Sequence, residues 1–456
     1  MNTISHIGDA KPRKAKYDKL FSLLKRQIET GDLKPGDRLP PVRTLAFELG
    51  AAPGTVARAY KELIKNGYLE AGVGQGTFVR RFKPSILSAT TGTMYLRSPR
   101  LPDIGQVEIL RLGFVEFANA AGFDELMSYP TRADNYDLQA EYLRYFADVP
   151  LGYVEPDDVV ITHGGQHGGV VALQTIQKLR KGGIIVEELS YQGFKSAADL
   201  VGIPVHAVAM DDQGPIPEVI REIVANHPIA AIFSSAEVNN PTTIRTSNER
   251  RVEIADIARE HGIHIVEDDC YRVGAYSGVS YRSLYPQRSW YVSSFSKSIS
   301  PALRIGCVIC PSGNAAMLKN TVFYNSLGVS RSNCEVAKFV LTHPKIEEIQ
   351  DMITEETNKY LRETVNRLGQ FNVSWRENVP MLWLQLPEGW RTTAFCQAAQ
   401  DRGVLVSSSE VFTTRDGNAP QAVRIAVNAE HGLDRYLEAI DVLADLLRHP
   451  DFVSGV

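Results

Sequence analysis

Short apolar runs alternate with helical patterns through the middle of the chain, and this alternation limits the possible fold more than any other feature. The runs are, in order, VVITH, GIIVEE, VHAVAM, AAIFSS, IHIVEDD and WYVSSFS, with helical patterns between them. Parallel strands are joined by helical crossovers, so the pattern predicts an α/β domain with a largely parallel sheet. Such sheets bind their ligands at the carboxyl ends of the strands.

The first 80 residues follow a different pattern, with apolar residues at helical spacing. Helices are predicted over residues 17–29, in a segment of about ten residues that Pro40 and Pro41 open and Gly50 ends, and over residues 54–66. Apolar pieces at 68–69 and 77–79 flank a glycine-rich VGQG and predict a β-hairpin. Together these elements predict a winged helix-turn-helix domain, whose second paired helix enters the major groove of DNA. The alternative is a small basic helical module without a DNA-binding role.

Charge is distributed unevenly along the chain. Residues 1–81 hold 15 Lys and Arg against 8 Asp and Glu, a balance of +7, which leaves −11 for the rest of a chain with net charge −4. The basic end therefore suits a polyanion such as DNA, and the acidic remainder does not.

Composition excludes several classes of protein. With 456 residues, 44% of them apolar and 22% charged, a soluble globular protein with two or three cores is expected. No apolar run approaches the roughly 20 residues that span a bilayer, and residues 1–16 resemble no secretion signal, so a cytoplasmic location is expected.

Cys307 and Cys310 form a C-x-x-C inside the apolar run 305–310. We interpret them as small residues of a buried strand, and we predict no metal site.

Three regions follow from these patterns. Residues 13–81 form the winged helix-turn-helix domain, and residues 82–106, rich in Pro, Ser, Thr and Gly without an apolar period, are predicted to be a linker. Residues 107–450 form the α/β domain.

Polar residues appear where the predicted strands end. In THGGQHGG, the backbone N–H groups of Gly164 and Gly165 and the side chain of Gln166 are suited to hold a phosphate, although such glycines often mark only a turn. HIVEDDCY places Asp268 at a strand end with Tyr271 three residues later. The alternative interpretation of these acids is a solvated loop pair.

The segment SSFSKSISPALRIG carries the strongest signal. A lysine near a second cation in a desolvated pocket loses proton affinity, so Lys297 is predicted to be an amine nucleophile that forms a Schiff base with an aldehyde. Ser294, Ser296 and Arg304 would hold the dianionic phosphate of that cofactor through charge-assisted hydrogen bonds.

The basic N-terminal region closely resembles the DNA-binding domain of GntR-family regulators over residues 17–80. The resemblance rests on GDLKPGDRLPPVRTLAFELG, TVARAYKELIKNGYLE and GQGTFV. It implies DNA contacts from the second helix, the third helix and the wing, through Arg43, Thr55, Arg58, Gly74 and Gly76. Residues 52–54 are Ala, Pro and Gly where the family often has Ser and Arg or Asn, so its base preference does not transfer.

Residues 107–448 resemble fold type I pyridoxal-phosphate (PLP) enzymes of the class I/II aminotransferase group, with the main motifs in the expected order. The resemblance implies that Lys297 is the lysine that forms an aldimine with pyridoxal 5'-phosphate. It also implies that Asp268 pairs with the pyridinium nitrogen, so that the ring withdraws electrons.

Further roles follow from the same resemblance. Tyr271 and Asn240, the latter in an NNPT similar to the NPTG of the group, would hydrogen-bond the phenolic oxygen of the ring. Tyr191 would stack on the ring, and Arg424 would clamp a carboxylate of the substrate or effector. Tyr129 would reach the phosphate bound by a partner subunit.

Three departures from the group affect turnover more than cofactor binding. Thr243 replaces the glycine of NPTG, Gly165 replaces a frequent side-chain phosphate donor, and YPTRADNYDLQ lacks the usual glycine before its helix. The structural alternative is a scaffold that no longer binds the cofactor. Retention of the lysine, acid, tyrosine and arginine together argues against it.

A GntR-type region joined to an aminotransferase-like region resembles the MocR subfamily of regulators. The resemblance implies a homodimer, arranged head-to-tail, whose two DNA-binding domains occupy one double-stranded operator. We hypothesise that an amino-acid-like effector displaces Lys297 from PLP by aldimine exchange. Closure around Arg424 would then change the affinity for DNA.

Two other functions remain open from the sequence. A catalytically active aminotransferase carrying a DNA-binding domain would show steady turnover with an amino donor and a keto acid. A region that only dimerises would show no cofactor absorbance. The residues do not identify the effector, the operator sequence or whether the protein activates or represses transcription.

Overall fold

A computed structural model describes residues 13–29, 32–34, 36–65, 68–72, 76–79, 92–120, 129, 136–415 and 417–449. The chain divides into two compact units, Met1–Thr91 and Gly92–Val456. Each unit has its own hydrophobic core, so each is described separately.

The first unit is a small helical domain with a β-hairpin. Its elements are α1 (Arg13–Glu29), α2 (Val42–Glu48), α3 (Pro53–Lys65), β1 (Leu69–Gly72) and β2 (Gly76–Val79). The two strands pair antiparallel, and the apolar helical faces meet in one core that includes Leu24, Leu45 and Leu63. The prediction of a winged helix-turn-helix domain is confirmed. Gly74, predicted in the wing, lies outside the described residues.

The second unit contains most of the chain. Its elements as far as the middle of the large sheet are β3 (Met94–Tyr95), α4 (Gln106–Asn119), α5 (Tyr136–Tyr145), β4 (Val159–Thr162), α6 (Gly164–Leu179), β5 (Gly183–Glu187), α7 (Gln192–Val201), β6 (Val205–Val208), β7 (Met210–Asp211), β8 (Gly214–Pro215), α8 (Pro217–Asn226), β9 (Ile229–Ser234), α9 (Asn248–His261) and β10 (His264–Asp268). The remaining elements are α10 (Tyr281–Leu284), β11 (Ser289–Ser294), β12 (Gly306–Ile309), α11 (Ala315–Ser326), α12 (Arg331–Leu341), α13 (Ile346–Leu368), β13 (Val373–Ser374), β14 (Met381–Gln385), α14 (Thr392–Asp401), β15 (Val404–Leu405), β16 (Ser407–Ser408), β17 (Ala422–Ala426) and α15 (Leu433–Arg448).

Seven strands form the main sheet in the order β4-β12-β11-β10-β9-β5-β6. Every pairing is parallel except those of β12, which runs antiparallel to both of its neighbours. Helices cover the sheet, so most of its strands are buried on both faces and read as continuous apolar runs. The prediction of an α/β domain with a largely parallel sheet is confirmed. Cys307 and Cys310 are free thiols with no exposed surface, on β12 and directly after it.

A second sheet of four strands, β13-β14-β17-β16, lies on the C-terminal side of the unit. Helices α13, α14 and α15 pack against it around an apolar core that includes Phe395 and Tyr436. No described helix is long and apolar enough to cross a membrane. The described residues also hold no cluster of three or more side chains that could ligate a metal ion.

The predicted linker 82–106 requires correction in its second half. Residues 92–106 belong to the second unit, where β3 pairs in parallel with β15. Met94 and Leu96 are buried in the core of that unit. A two-residue strand shows no period in the sequence, and its partner lies about 310 residues away, so this pairing could not be predicted. Residues 82–91 lie outside the described residues.

Candidate functional site

One cavity of about 720 Å³ lies at the carboxyl ends of the central strands. Parallel strands point their ends to the same edge, so residues far apart in sequence meet there. Most of the predicted site residues line it: Gly165, Gln166, Tyr191, Asp268, Tyr271, Ser294, Ser296, Lys297, Arg304 and Arg424. Gly164, Asn240 and Tyr129 are not among the lining residues.

Lys297 ends a short 3₁₀ turn that follows β11. Its Nζ donates hydrogen bonds to Ser98 Oγ and to the carbonyl oxygen of Pro99, each at 3.2 Å. The same Nζ lies 5.7 Å from the centre of the Tyr271 ring. Burial lowers the pKa of Lys297 to about 8, and the charges of Arg424 and Arg304 act in the same direction. The amine is therefore partly neutral, and so nucleophilic, near neutral pH.

Asp268 is the last residue of β10, and it is buried at the floor of the cavity. The backbone N–H of Cys270 donates to its Oδ1 at 3.1 Å. It forms no ion pair with any described basic side chain. Burial raises the pKa of Asp268 to about 6, and the neighbouring Asp269 adds to the effect. A buried carboxylate without a cation is suited to a ligand that brings a positive charge.

Asp269 points into a different environment, although it is adjacent in sequence. Its Oδ2 forms an ion pair with Arg272 Nε at 2.9 Å and accepts a hydrogen bond from the Tyr291 hydroxyl. Arg272 in turn pairs with Asp148 at 2.8 Å. Asp269 is thus a structural acid, and Asp268 is the acid available to a ligand.

Arg304, Ser294 and Ser296 lie together at one wall of the cavity. Ser294 Oγ donates to Ser296 Oγ at 2.9 Å, and Arg304 Nη2 donates to the carbonyl oxygen of His163 at 3.1 Å. A Cβ on Gly164, whose φ is +78°, would lie 2.9 Å from the Arg304 guanidinium. Glycine has no Cβ and adopts this φ readily, so the Arg304 guanidinium can approach the backbone at Gly164.

Gly165 departs from the aminotransferase group, and the structure shows why a side chain does not fit there. A Cβ at this position would lie 2.3 Å from the sulfur of Cys270. The thiol thus occupies the space in which the group often places a phosphate donor. Burial raises the pKa of Cys270 far above its usual range, so it remains a neutral thiol.

A double-mutant test follows from this contact. Gly165→Ser is expected to lower the thermal midpoint by several degrees and to weaken PLP binding, because the new side chain overlaps Cys270. Gly165→Ser combined with Cys270→Gly should recover both quantities. Thermal unfolding and cofactor titration measure the two effects. Equal losses in the single and double variants would show that the thiol does not exclude the side chain.

Arg424 on β17 is 5% exposed and makes several contacts. Its Nη1 donates to Asn240 Oδ1 at 2.5 Å, its Nη2 donates to the backbone carbonyl of Arg97, and its guanidinium lies 4.8 Å from the centre of the Phe412 ring. Its Nε and the Asn240 Nδ2 are buried without a hydrogen-bond partner. Burial lowers the pKa of Arg424. Asn240 does not line the cavity, but it is hydrogen-bonded to Arg424, which does. The predicted bond from Asn240 to a cofactor stays a prediction.

Tyr191 and Tyr129 were also predicted to contact the cofactor, and only Tyr191 lines the cavity. The Tyr191 hydroxyl donates to Gln166 Oε1 at 2.6 Å, and the Tyr191 and Tyr271 ring centres are 6.5 Å apart. Tyr129 is 76% exposed and does not line the cavity. Its predicted role involves a partner subunit and stays a prediction.

Thr243, the second departure from the group, has a left-handed φ of +68°. β-branched residues rarely adopt this conformation, which costs about 1–3 kcal/mol. The glycine usual at this position would avoid the cost. Thr243 keeps the turn through its N–H, which donates to the carbonyl oxygen of Asn239 at 2.9 Å.

In the first unit, the predicted DNA contacts lie mainly on exposed surface. Arg43 on α2 and Arg58 on α3 are exposed, and Thr55 is partly exposed. The Arg58 guanidinium lies 5.0 Å from the centre of the Tyr17 ring. Gly76 has a φ of +114°, and a Cβ there would lie 2.9 Å from Arg38 Nε. Arg38 at the base of the wing is a basic residue that the sequence analysis did not select.

The sequence analysis also missed cavity residues that come from elsewhere in the chain. Those are Arg97, Ser98, Cys396, Ser407 and Phe412. The sequence around these residues carries no motif that predicts a place in the site. Long-range contacts, such as the pairing of β3 with β15 and the bond from Arg97 Nε to the carbonyl oxygen of Val406, bring the segment before α4 to the cavity.

The sequence profile of the family described as aminotransferase class I and II matches residues 102–443. The chain belongs to this family. The profile of bacterial regulatory proteins of the gntR family matches residues 16–79. The fold of class I and II aminotransferases typically binds PLP, and the gntR-type region is a DNA-binding domain.

Curated relatives include one that matches nearly the whole chain and two that match about two thirds of it. The chain is 26% identical over 447 residues to an uncharacterized HTH-type transcriptional regulator, YdeF, of Bacillus subtilis, covering 96% of this chain and 95% of the relative. It is 27% identical to the probable rhizopine catabolism regulatory protein MocR of Rhizobium meliloti, covering 68% and 69%. It is 25% identical to the pyridoxine biosynthesis regulator PdxR of Corynebacterium glutamicum, covering 66% and 67%. The resemblance to the MocR subfamily is confirmed.

Solved structures support the fold of the second unit. A kynurenine aminotransferase of Pyrococcus horikoshii matches with a TM-score of 0.69 at 21% identity, covering 79% of this chain and 92% of that one. The α-aminoadipate aminotransferase LysN of Thermus thermophilus matches with a TM-score of 0.69 at 18% identity, covering 79% and 93%. The prediction of a fold type I aminotransferase domain is confirmed.

Proposed function

We propose that this chain is a PLP-dependent transcription regulator of the cytoplasm, in which an amino-acid-like effector acts at Lys297 and changes the affinity for operator DNA. One observation carries the proposal. Lys297, Asp268, Arg304 and Arg424 line a single cavity in a chain that also holds a gntR-type DNA-binding unit. By likeness to the family, two copies would form a head-to-tail homodimer whose two DNA-binding units occupy one operator.

The cavity residues fit pyridoxal phosphate. Asp268 is a buried carboxylate without a cation, which suits a protonated ring nitrogen. Ser294, Ser296, Arg304 and the N–H groups at the start of α6 would hold its phosphate. When bound, the cofactor supplies an aldehyde for an amine and a ring that withdraws electrons. Lys297 is the cavity lysine whose amine is partly neutral near pH 8.

The contacts of Arg424, Tyr191 and Tyr271 support a role for each of them in the cavity. Arg424 binds the effector carboxylate, since its Nε is buried without a partner and its guanidinium is held by Asn240 and Phe412. Tyr191, bonded to Gln166, and Tyr271 cover the cavity on its aromatic side. Both rings are partly buried, so they shield part of the cavity from water and strengthen the charged contacts there.

Coupling to DNA binding would pass through residues 97–99, which we call the strap. Lys297 donates to Ser98 and Pro99, and Arg424 donates to the backbone carbonyl of Arg97. A ligand that engages the amine or the guanidinium competes with these bonds. Along the chain, the strap lies close to the boundary between the two units at residues 91 and 92, and we propose that ligand binding changes DNA affinity through it.

The experiment that tests the proposal measures the affinity of the full PLP-loaded chain for DNA from its own upstream region, with and without amino acids. We expect the amino acid that changes cofactor absorbance to change DNA affinity by about 5–150-fold. Arg43→Ala should weaken binding to all DNA sequences and reduce the salt slope by about one. It should leave the cofactor spectrum unchanged.

Two outcomes would contradict the proposal. A cofactor spectrum that responds to amino acids while DNA affinity stays constant, with steady turnover of a keto acid, would favour an aminotransferase that carries a DNA-binding domain. A chain without cofactor absorbance after incubation with PLP would leave only a dimerising role for the second unit.

A further inference from the structure

Arg97 is a cation in the cavity wall that none of the roles above uses. Its Nε donates to the carbonyl oxygen of Val406 at 3.0 Å, and Val406 and Cys396 line the same cavity. Burial raises the pKa of the Cys396 thiol to about 11, while the Arg97 charge acts to lower it, so the guanidinium lies near this wall. The Arg97 side chain is exposed, and no described carboxylate forms an ion pair with it.

One basic side chain of the cavity has no anion assigned to it. Its lining contains four basic side chains, Arg97, Lys297, Arg304 and Arg424, against one carboxylate, Asp268. The proposed cofactor would use Asp268, Lys297 and Arg304, and a carboxylate of the effector would use Arg424. The Arg97 guanidinium, fixed at Nε by Val406, keeps its two terminal nitrogens for another acceptor.

Arg97 and Arg424 are also adjacent in space, because the Arg97 backbone carbonyl accepts a bond from Arg424 Nη2. Both residues line the same cavity, so a ligand held at Arg424 lies close to the Arg97 backbone. Ser407 and Ser408 line the same region and offer hydroxyl donors. Two guanidinium groups that line one cavity are complementary to a molecule with two anionic groups.

We propose that Arg97 determines effector specificity, and that the effector is an amino acid with a second anionic group on its side chain. Arg424 binds the α-carboxylate, and Arg97 binds the side-chain anion. This inference rests on the proposed function, because it assumes that the cavity binds an amino-acid-like effector. It adds the chemical class of that effector and the residue that selects it.

The test compares acids with their amides, which have nearly the same shape. The PLP-loaded full chain is titrated with aspartate, asparagine, glutamate and glutamine, and the dissociation constants are taken from cofactor absorbance. In the wild type we expect at least one acid to bind about tenfold more tightly than its amide, as one added charge-assisted contact provides. In Arg97→Gln that ratio should fall to about one, and Arg97→Lys should keep part of it.

The affinities for PLP and for the amides show whether Arg97 contacts the second anion or only positions the strap. They should be the same in Arg97→Gln as in the wild type, because the side chain contacts only the second anion. If all affinities fall together, Arg97 only positions the strap and the proposal is overturned. An acid-to-amide ratio that is unchanged in Arg97→Gln, or that is near one in the wild type, also overturns it.

A calorimetric titration with glutarate and butyrate makes the test independent of the amine chemistry. Glutarate should bind the wild type about tenfold more tightly than butyrate, and Arg97→Gln should remove the difference. Equal binding of the two by the wild type would refute the role of Arg97. If glutarate is preferred while no amino acid alters the cofactor spectrum, the specificity of Arg97 stands and the proposed sensing function fails.

Discussion

Replacing Lys297 by alanine is expected to abolish the protein-bound cofactor absorbance and to weaken PLP binding roughly 100-fold, equal to about 2.7 kcal/mol. Alanine has no amine to bond to the aldehyde, whereas the wild-type amine is available in its neutral form. With a pKa near 8, about a quarter of the amines are neutral at pH 7.5, whereas an ordinary lysine would be almost fully protonated. The capture of an aldehyde by the wild type should therefore accelerate as the pH rises to about 8 and then level off.

The stability of the Lys297→Ala variant shows whether its loss of cofactor binding comes from misfolding. The folded-state pKa of Lys297 lies below its usual 10.5, so its contribution to stability is present above pH 10.5 and is lost as the pH falls through 8. Alanine removes that cost, and the cofactor-free variant should stay folded at pH 7. Lys195→Ala is the matched control, because burial lowers the Lys195 pKa outside the cavity lining. It should keep the cofactor absorbance and the response to amino acids.

Asp268→Asn is expected to weaken PLP binding roughly 30-fold, or about 2 kcal/mol, without lowering the stability of the cofactor-free chain at pH 7. The folded-state pKa of Asp268 is raised from 3.8 to about 6, so its stabilising contribution is present below pH 3.8 and is lost as the pH rises through 6. At neutral pH the buried charge has no cation, and asparagine removes its cost. Cofactor titration and thermal unfolding at pH 5 and pH 8 measure both effects.

The neighbouring acid provides the contrast. Asp269→Asn removes one of the two carboxylates that face the buried Arg272 and the acceptor of the Tyr291 hydroxyl. It should lower the thermal midpoint by several degrees and leave the intrinsic affinity for PLP nearly unchanged. If instead Asp269→Asn removed cofactor binding and Asp268→Asn did not, the assignment of the two acids would be reversed.

Much of the fold could be predicted because local patterns and tertiary structure agree in this chain. The apolar runs that became β4, β5, β9, β10 and β11 are continuous because both faces of the sheet are covered. The helices of the first unit end close to the predicted residues for a similar reason, since their apolar faces form one small core. Residues 92–106 could not be assigned, because a two-residue strand takes its structure from a distant partner.

Some residues of the candidate site could likewise be predicted from the sequence, and others could not. Lys297, Asp268 and Arg304 stand at strand ends in motifs that can be recognised locally, and the cavity brings them together. Arg97 and Phe412 have no such motif. They contribute through packing between the strap, the four-stranded sheet and the main sheet, which a linear pattern does not encode. Gly165 also departs from the group for a reason that no linear pattern encodes, because the Cys270 thiol occupies the space that a side chain would need.

The central claim is that the amine of Lys297 captures an aldehyde, and reductive trapping tests it most directly. The full chain is incubated with PLP, treated with borohydride, and digested for peptide mass spectrometry. We predict one stable phosphopyridoxyl group per chain, attached to Lys297, and its loss when an amino-acid effector is added before reduction. A label on Lys195 or another lysine, or no label at all, would contradict the claim.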